Sequence, residues 1–270
     1  DSRAAHDPFD GLVRIGIDEI SYRRGHKYLM VVVDHDTGRL VWAAAGHDKA
    51  TLNGFFELLG PERAANIALI SADAAEWIGE VALAACPNAE LCLDPFHIVR
   101  WATDALDVVR RWIWNTMRRL GLTGRAKHLK GCRYALWKNP ANLTERQQAK
   151  LAWIAKHNTP LYRAYLLKEQ LRLLFAHRGD EAVALLDAWR QWARRCQIPA
   201  FVALYHRINK HRTGIIASVT HGLSNGLTES VNTKLRLLTR IAYGFRSTDN
   251  LIALCLLDRG GHCPPLPGRT

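Results

Sequence analysis

The sequence predicts an α/β protein in which a mixed sheet is interrupted by a long helical segment. Three apolar runs follow one another near the start of the chain, over residues 12–20, 27–34 and 38–45. Helical and extended patterns then alternate up to residue 93, as expected for parallel strands with an antiparallel edge. From about residue 97 to 205 no strand pattern occurs, and tryptophans recur among Leu, Ala and Arg at helical spacing.

The first three strands are predicted to form a meander. Residues 12–20 and 27–34 contain continuous runs of Val, Ile and Leu, which are typical of strands covered on both faces. The segment Asp34-His35-Asp36-Thr37-Gly38 joins the second strand to the third, with Asp to start a turn and Gly for a positive φ. The third strand is predicted over 38–45.

Helices and strands alternate after this meander. A helix is predicted over 51–66 because large apolar residues recur on one side of it. The next predicted elements are a strand over 67–72, a helix over 76–85 that Pro87 stops, and a strand over 90–93. This order favours a sheet with helices packed on its faces.

The chain is expected to divide into four segments. In the strandless stretch, Leu161–Phe175 and Asp180–Arg195 are the clearest amphipathic helices. Two later helices, from Gly226 to about Thr239 and over Asp249–Leu257, return to the core. The expected segments are the first part of the core over 10–100, a helical insertion over 101–215, the C-terminal core helices over 216–260 and a tail over 261–270.

Composition narrows the class of protein. The chain of 270 residues is 48% hydrophobic, which is enough for a substantial core. Its net charge of +12 favours a polyanionic partner, of which nucleic acid is the obvious one. No apolar run reaches the roughly 18 residues of a membrane span, so we expect no membrane partner. Without a secretory apolar segment at the start, the expected location is cytoplasmic.

The spacing of the cysteines and the identity of the first residue lead to two further expectations. The six cysteines include no Cys-x-x-Cys pair, which argues against a zinc site and favours buried thiols in a reducing compartment. The chain begins at Asp1 rather than Met, so we expect a piece of a longer protein.

Acidic residues stand where predicted strands end. Asp18 closes the apolar run of the first strand, Asp73 follows the fourth and Asp94 follows the fifth, while Glu229 opens a basic helix far downstream. Each of them has a structural alternative, as a strand end, a helix N-cap or a residue of a helical first turn. Taken together they predict a cluster, because chemistry in α/β sheets gathers at strand ends.

Converging carboxylates predict a site for divalent cations. Without a counter-charge they would repel one another and raise their own pKa values. Mg²⁺ and Mn²⁺ prefer oxygen ligands, and two such ions roughly 4 Å apart can activate an attacking oxygen and stabilise a leaving one. The implied chemistry is hydrolysis or transesterification of a phosphodiester.

Four segments carry a specific resemblance. They are Ile15–Glu19, Ser71–Asp73, Pro87–His97 and Ser224–Lys234, the last running on to Ala242–Arg246. In these segments, which span nearly the whole chain in order, the sequence resembles the catalytic part of bacterial insertion-sequence transposases of the DDE class, most like the ISL-three family. The resemblance implies a ribonuclease H-like core that a helical insertion interrupts before the final Glu.

The resemblance also implies roles for particular residues. It makes Asp18, Asp73 and Glu229 the catalytic, metal-binding triad, with two Mg²⁺ or Mn²⁺ ions. Asp94 and His97 match a D-x-x-H element that supports the site, although a rival assignment makes Asp94 the second catalytic aspartate. For His97 two roles stay open, which are support of the site and direct contact with DNA. Glu19 is left out because it should point to the opposite strand face from Asp18.

The function that the resemblance implies is that of a DNA transposase catalytic domain. It would cut transposon ends, join them to target DNA, and act as a homo-oligomer on DNA. Two alternatives stay open: a ribonuclease H-like nuclease without joining activity, and an inactive DNA-binding remnant. No zinc-finger spacing or helix-turn-helix pattern occurs, and the resemblance implies that such end-recognition elements precede the catalytic core.

Basic residues provide candidate DNA contacts. Phosphate contacts of this kind would fix DNA in register without reading its sequence, and the alternative is a solvated face. The tryptophans are interpreted as core of the helical segment rather than as base-stacking platforms. The predicted DNA-binding residues are Arg100, Asn232, Lys234, Arg236, Arg240 and Arg246.

Overall fold

A five-stranded mixed sheet organises the first part of the chain. The computed structural model describes residues 7–23, 25 and 27–261. The strands are β1 (Arg14–Arg23), β2 (Lys27–Asp34), β3 (Leu40–Ala45), β4 (Leu69–Ala72) and β5 (Glu90–Leu93). Their order across the sheet is β3-β2-β1-β4-β5. The first three strands pair antiparallel, whereas β1 pairs parallel with β4, and β4 with β5.

Helices account for most of the remaining described chain. They are α1 (Lys49–Leu59), α2 (Pro61–Ala64), α3 (Glu76–Ala85), α4 (Pro95–Arg119), α5 (Thr123–Leu129), α6 (Arg133–Trp137), α7 (Glu145–His157), α8 (Thr159–Leu174), α9 (Gly179–Arg195), α10 (Pro199–Lys210), α11 (Arg212–His221), α12 (Gly226–Ile241) and α13 (Thr248–Arg259). The chain divides into two compact units, one formed up to Asp94 and again from Gly222, the other formed by Pro95–His221.

In the first unit, both faces of the sheet are covered by apolar side chains. Ile15 and Ile17 point to one face, where they join a cluster that includes Phe55 of α1. Ile20 points to the other face, where its cluster includes Val231 of α12. This alternation follows from the period of two residues along a strand. The prediction that the first strands are covered on both faces is confirmed.

The second unit is built from α4 to α11 and a short 3-10 helix at Pro140–Asn142. Trp189 of α9 is fully buried, and its indole N–H donates to the carbonyl of Leu167 at 2.8 Å. Trp101 is buried under the guanidinium of Arg207, whose central carbon lies 3.6 Å from the ring centroid. These two tryptophans therefore serve as core, whereas Trp112 is exposed.

The prediction of a single helix over residues 51–66 was wrong. The segment 51–66 is not continuous, because α1 ends at Leu59 and a separate short helix begins at Pro61. Gly60 between them has a φ of 79°, a left-handed conformation that favours glycine. Pro61 occupies the first position of α2, where its missing N–H leaves no helical hydrogen bond unmade. Most of the predicted tail, residues 262–270, lies outside the described residues.

The described cysteines are buried free thiols: Cys86, Cys92, Cys132, Cys196 and Cys255. Burial raises the pKa of Cys86 to about 11, that of Cys92 to about 12 and that of Cys255 to about 11. Because the thiolate is the reactive form, a thiol reagent at neutral pH should leave these three unlabelled in the native protein and label them after unfolding. Peptide mass mapping of the labelled sites measures this, and native labelling at Cys92 would contradict it.

None of the helices in the described part of the chain is long and apolar enough to cross a membrane.

Candidate active site

Three aspartates occupy one row across β1, β4 and β5. Asp73 and Asp94 directly follow their strands, whereas Asp18 lies inside β1, because that strand continues beyond the apolar run to Arg23. Extending the register Gly16↔Ser71 by two residues brings Asp18 opposite Asp73. Extending Ala72↔Leu93 by one residue brings Asp73 opposite Asp94. Because side chains alternate along strands, all three positions belong to the face that α12 covers. Carboxylate oxygens of Asp73 and Asp94 lie within 4.8 Å of one another.

Asp18 is held by two hydrogen bonds. Its Oδ1 accepts from the backbone N–H of Glu19 at 2.7 Å. Its Oδ2 accepts from the side-chain amide of Asn232 at 2.7 Å. Asn232 is 3% exposed and faces the sheet from α12, so it differs from the predicted DNA-facing side chain. The reason is that it lies on the buried side of the helix, in phase with Leu235 and Thr228.

Asp94 anchors the start of the same helix. It is buried, and its Oδ1 accepts from the backbone N–H of Asn225, the residue before α12 begins, at 3.3 Å. The Asn225 side-chain oxygen in turn accepts from Ser71 Oγ. Ser71 Oγ also lies 2.7 Å from Nε2 of His35. The beginning of α12 is therefore tied to β4 and to the residue that follows β5.

His35 belongs to this buried polar set. Burial lowers the pKa of His35, which favours the neutral imidazole. A neutral ring has one donor and one acceptor nitrogen. Because the Ser71 hydroxyl donates its one proton to Asn225, Nε2 of the neutral His35 ring is the donor to Ser71 Oγ.

Gly16 allows α12 to approach the sheet closely. A Cβ at this position would clash with Thr228 Oγ1 and would lie 2.8 Å from Nε2 of His35. Gly16 lies two residues before Asp18 in β1. Only a glycine at this position leaves room for α12 to pack so closely on the strand. The glycine therefore determines how near α12 lies to the carboxylate row.

Glu229 lies in the first turn of α12 and its side chain is exposed. Asn232, which contacts Asp18, is three residues further on. Helix residues three apart are neighbours on the surface, with Cβ atoms about 5–6 Å apart. Glu229 therefore lies one helical turn from the residue that holds Asp18, despite the long sequence separation.

The order of the strands bears on the choice of the second aspartate. Because β4 lies between β1 and β5, Asp73 follows the immediate neighbour of the strand that carries Asp18. Asp94 follows a strand one position further away. This order favours Asp73 as the partner of Asp18.

His97 and Arg100 begin the second unit. Both lie in the first two turns of α4, where His97 is half-buried and Arg100 is exposed. The ring of His97 packs edge-on against Phe96, with centroids 5.6 Å apart.

The other predicted DNA-binding residues are exposed in the first unit. Lys234, Arg236 and Arg240 project from α12, and Arg246 follows it. Glu229 lies in the first turn of the same helix, at the end nearest the carboxylate row. The basic residues follow it toward the C-terminal end of α12.

Sequence reasoning missed part of the site. The buried polar residues Asn225, Thr228 and Asn232 were not recognised as a set supporting the site. Their signal is their spacing, because they recur on the side of α12 that also carries buried Val231 and Leu235.

The residues present fit a hard divalent cation. The three aspartate carboxylates lie in one row across adjacent strands. Beside them, the Oδ1 atom of Asn232 is buried and has no hydrogen-bond partner among the described residues. All of these donors are oxygens, as Mg²⁺ and Mn²⁺ require. Like-charged groups arranged in this way favour a bound counter-ion.

The parallel strands with their row of aspartates, covered by a helix that carries a glutamate, define the class of α/β proteins with an acidic site on the sheet. Comparison with known families agrees with this class and narrows it. A family described as Transposase, the ISL-three group of the DDE class, matches residues 15–255. The chain belongs to this family.

Individual relatives carry the same description. The chain is 58% identical, over 288 aligned positions, to the transposase for insertion sequence element IS1557 from Mycobacterium tuberculosis. That alignment covers 100% of this chain and 65% of the relative. It is 30% identical over 237 positions to the transposase for insertion sequence element IS1001 from Bordetella parapertussis, covering 87% of this chain and 58% of that relative. The chain thus spans less than two thirds of the length of these relatives.

Proposed function

We propose that this chain is the catalytic part of a DNA transposase, which cuts the ends of an insertion sequence and joins them to target DNA. The observation that carries the proposal is the row of Asp18, Asp73 and Asp94 across three adjacent strands, beneath the helix that bears Glu229. The sheet order and the membership of the family support a ribonuclease H-like core, with Pro95–His221 as a helical insertion.

In this proposal Asp18, Asp73 and Glu229 hold two Mg²⁺ or Mn²⁺ ions. When bound, such ions supply activation of an attacking oxygen and stabilisation of the leaving oxygen in a phosphodiester displacement. Asp18 lies in a strand and Glu229 in a helix, which are rigid supports for ligands that must keep their geometry.

The neighbouring residues orient these ligands. Asn232 donates to Asp18 and so fixes the direction of its second oxygen. Asp94 accepts from the backbone of Asn225 and anchors the start of α12, which supports its assignment as a positioning residue rather than a ligand. His97 is assigned to support at the beginning of α4, in the sequence position that follows Asp94 by three residues.

DNA is the proposed substrate, and homo-oligomerisation on DNA stays a prediction. The positively charged residues after Glu229 lie on an exposed side of α12, where they can contact phosphates. The net charge of +12 would bring DNA to the protein by long-range attraction.

Removing three of these charges should weaken DNA binding regardless of sequence. In a Lys234→Ala, Arg236→Ala, Arg240→Ala variant, the slope of log affinity against log salt should become less steep by about 0.9 for each phosphate that the protein no longer neutralises. Fluorescence anisotropy on a labelled duplex over a salt series measures the slope. Lys49→Ala is the control, because Lys49 pairs with Glu80 at the α1 side of the sheet. An unchanged slope in the triple variant would rule out these phosphate interactions.

The proposed function is tested on a plasmid that carries the ends of the cognate element. With Mg²⁺ or Mn²⁺, we expect strand cleavage at those ends and joined products detectable by sequencing across the junctions. Cleavage without any junction would favour the nuclease alternative. Steeply salt-dependent binding that metal leaves unaffected, without cleavage, would favour a DNA-binding remnant.

A further inference from the structure

A cavity lies in the first unit, at the C-terminal end of α12. Its volume is about 470 Å³, and its lining includes Tyr22, Arg23, Tyr243, Phe245 and Arg246. We call it the Tyr243 pocket. The strand β1 contributes the first two of these residues, and the turn after α12 contributes the others. Its volume lies within the range of about 300–1,000 Å³ that is typical of small-molecule sites, so it has room for a nucleotide.

Tyr243 is held away from the protein by a disfavoured backbone conformation. Its φ is 53°, a left-handed value that non-glycine residues rarely adopt, and its exposed fraction is 101%. Two backbone hydrogen bonds fix the turn. The N–H of Tyr243 donates to the carbonyl oxygen of Arg240 at 3.1 Å, and the N–H of Gly244 donates to the carbonyl oxygen of Thr239 at 2.9 Å. These two bonds cap the end of α12 in the way that places the next residue in the left-handed region, a position usually occupied by glycine. Here a tyrosine occupies it, and its ring gains no packing against the described residues.

The opposite side of the pocket is anchored. The Tyr22 hydroxyl lies 3.0 Å from Thr248 Oγ1, within hydrogen-bond distance, and Phe245 packs against the apolar cluster beneath α12 and α13. Arg23 and Arg246 are exposed at the rim and carry positive charge. An exposed ring above an anchored aromatic wall, with guanidinium groups at the rim, suits an unpaired base stacked on tyrosine and its phosphates paired with arginine.

We propose that the Tyr243 pocket binds an unpaired nucleotide of the DNA strand whose backbone runs along α12 toward the carboxylate row. Fourteen residues separate Glu229 from Tyr243, which is roughly 20 Å along a helix. Lys234, Arg236 and Arg240 lie between them on exposed positions, so positive charge is continuous from one site to the other. This inference rests on the proposed function, since it assumes that DNA is the substrate.

The test measures binding of a short fluorescent oligothymidine strand to the 270-residue chain in a chelator, so that catalysis plays no part. Tyr243→Gly removes the ring and relieves the backbone, whereas Tyr243→Phe keeps the ring. We expect Tyr243→Gly to weaken binding by about 5- to 100-fold, the range for loss of one stacked base, and Tyr243→Phe to bind like the wild type. On an abasic strand of equal length, Tyr243→Gly and the wild type should bind alike.

The proposal is overturned if Tyr243→Gly binds oligothymidine as the wild type does, if Tyr243→Phe loses as much as Tyr243→Gly, or if the wild type does not bind the strand. An equal loss on the abasic strand would also overturn it. Tyr243→Gly should unfold at a temperature no lower than the wild type, which separates lost binding from lost folding.

Failure of the pocket and failure of the proposed function give different results. If Asp18→Asn abolishes metal-dependent cleavage while Tyr243→Gly binds normally, only the pocket proposal fails. If Asp18→Asn cleaves as the wild type does while Tyr243→Gly loses binding to the base-bearing strand, the pocket stands and the catalytic assignment fails.

Discussion

Replacing Asp18, Asp73 or Glu229 with its uncharged isostere should reduce DNA strand cleavage by about a hundred- to a thousandfold. The expected size follows the scale on which enzymes lose rate when a single group that stabilises developing charge is removed. Asp18→Asn, Asp73→Asn and Glu229→Gln keep the shape of the side chain but remove the negative charge that a divalent cation requires. Cleavage is measured as the initial rate on end-bearing DNA at saturating Mg²⁺ or Mn²⁺.

Two neighbouring carboxylates serve as matched comparisons. Glu19 lies beside Asp18 in β1 but on the opposite face, so Glu19→Gln should reduce the rate far less than Asp18→Asn. Asp94→Asn should act through the Asn225 contact and so lower stability along with activity. If Asp94→Asn abolished cleavage at unchanged stability while Asp73→Asn stayed active, Asp94 would be the second catalytic aspartate. Full activity in Asp18→Asn would remove the metal-site assignment.

The sequence was most informative where a local pattern decided the structure. The second strand, the helix Glu76–Ala85 and the strand Glu90–Leu93 have the predicted bounds. In each of them a continuous apolar run or a stop at proline defines the ends without reference to distant residues. Asp73 and Asp94 were recognised for the same reason, because each follows directly on the apolar run of a strand. Asp18 also follows an apolar run, but its strand continues to Arg23, because the pairing with β2 extends beyond the apolar residues.

The register of these strands could not be read from their sequences. That Asp18, Asp73 and Asp94 form one row depends on hydrogen bonds between strands that are distant along the chain, since Gly16 pairs with Ser71 and Ser71 pairs with Cys92. The same limit explains Asn232, whose charge-rich neighbourhood predicted a DNA contact although the side chain faces Asp18. Helical periodicity showed that it shares a side with Glu229, but not which side faces the sheet.

The break within 51–66 has a different cause. The apolar side that predicted the helix ends at Leu59, and the predicted helix was extended beyond it to the start of the next strand. The Gly-Pro pair was the available signal, since proline begins helices more readily than it continues them.

Gly16→Ala should cause the largest loss among substitutions that leave every carboxylate in place. The added methyl group meets Thr228 Oγ1 and approaches Nε2 of His35, so α12 must move away from the sheet. Overpacking of this kind lowers the free energy of unfolding by about 1–3 kcal/mol. Because a displacement of ~1 Å can cost ~100-fold in rate, cleavage should fall by about that factor as Glu229 moves with the helix. Chemical denaturation and initial cleavage rates measure the two effects.

A second substitution separates displacement of the helix from general damage. Thr228 Oγ1 is buried and has no hydrogen-bond partner among the described residues, so Thr228→Ala alone should lower stability only modestly. Combined with Gly16→Ala it removes the nearest clash, and the double variant should regain part of both the stability and the rate. The contact with His35 remains, which is why the recovery should be incomplete.

Gly54→Ala provides the matched control for adding a methyl group to a glycine. Gly54 lies inside α1, and a Cβ there meets nothing within 4 Å. The variant should keep its cleavage rate and gain about 0.5–1 kcal/mol in the free energy of unfolding, since alanine is the better helix former. If Gly16→Ala behaved like Gly54→Ala in both measurements, close approach of α12 to β1 would not be what positions Glu229. Recovery of the cleavage rate in the double variant would show that the rate depends on the distance between α12 and β1. The reason is that Gly16→Ala and the double variant have the same proposed metal ligands.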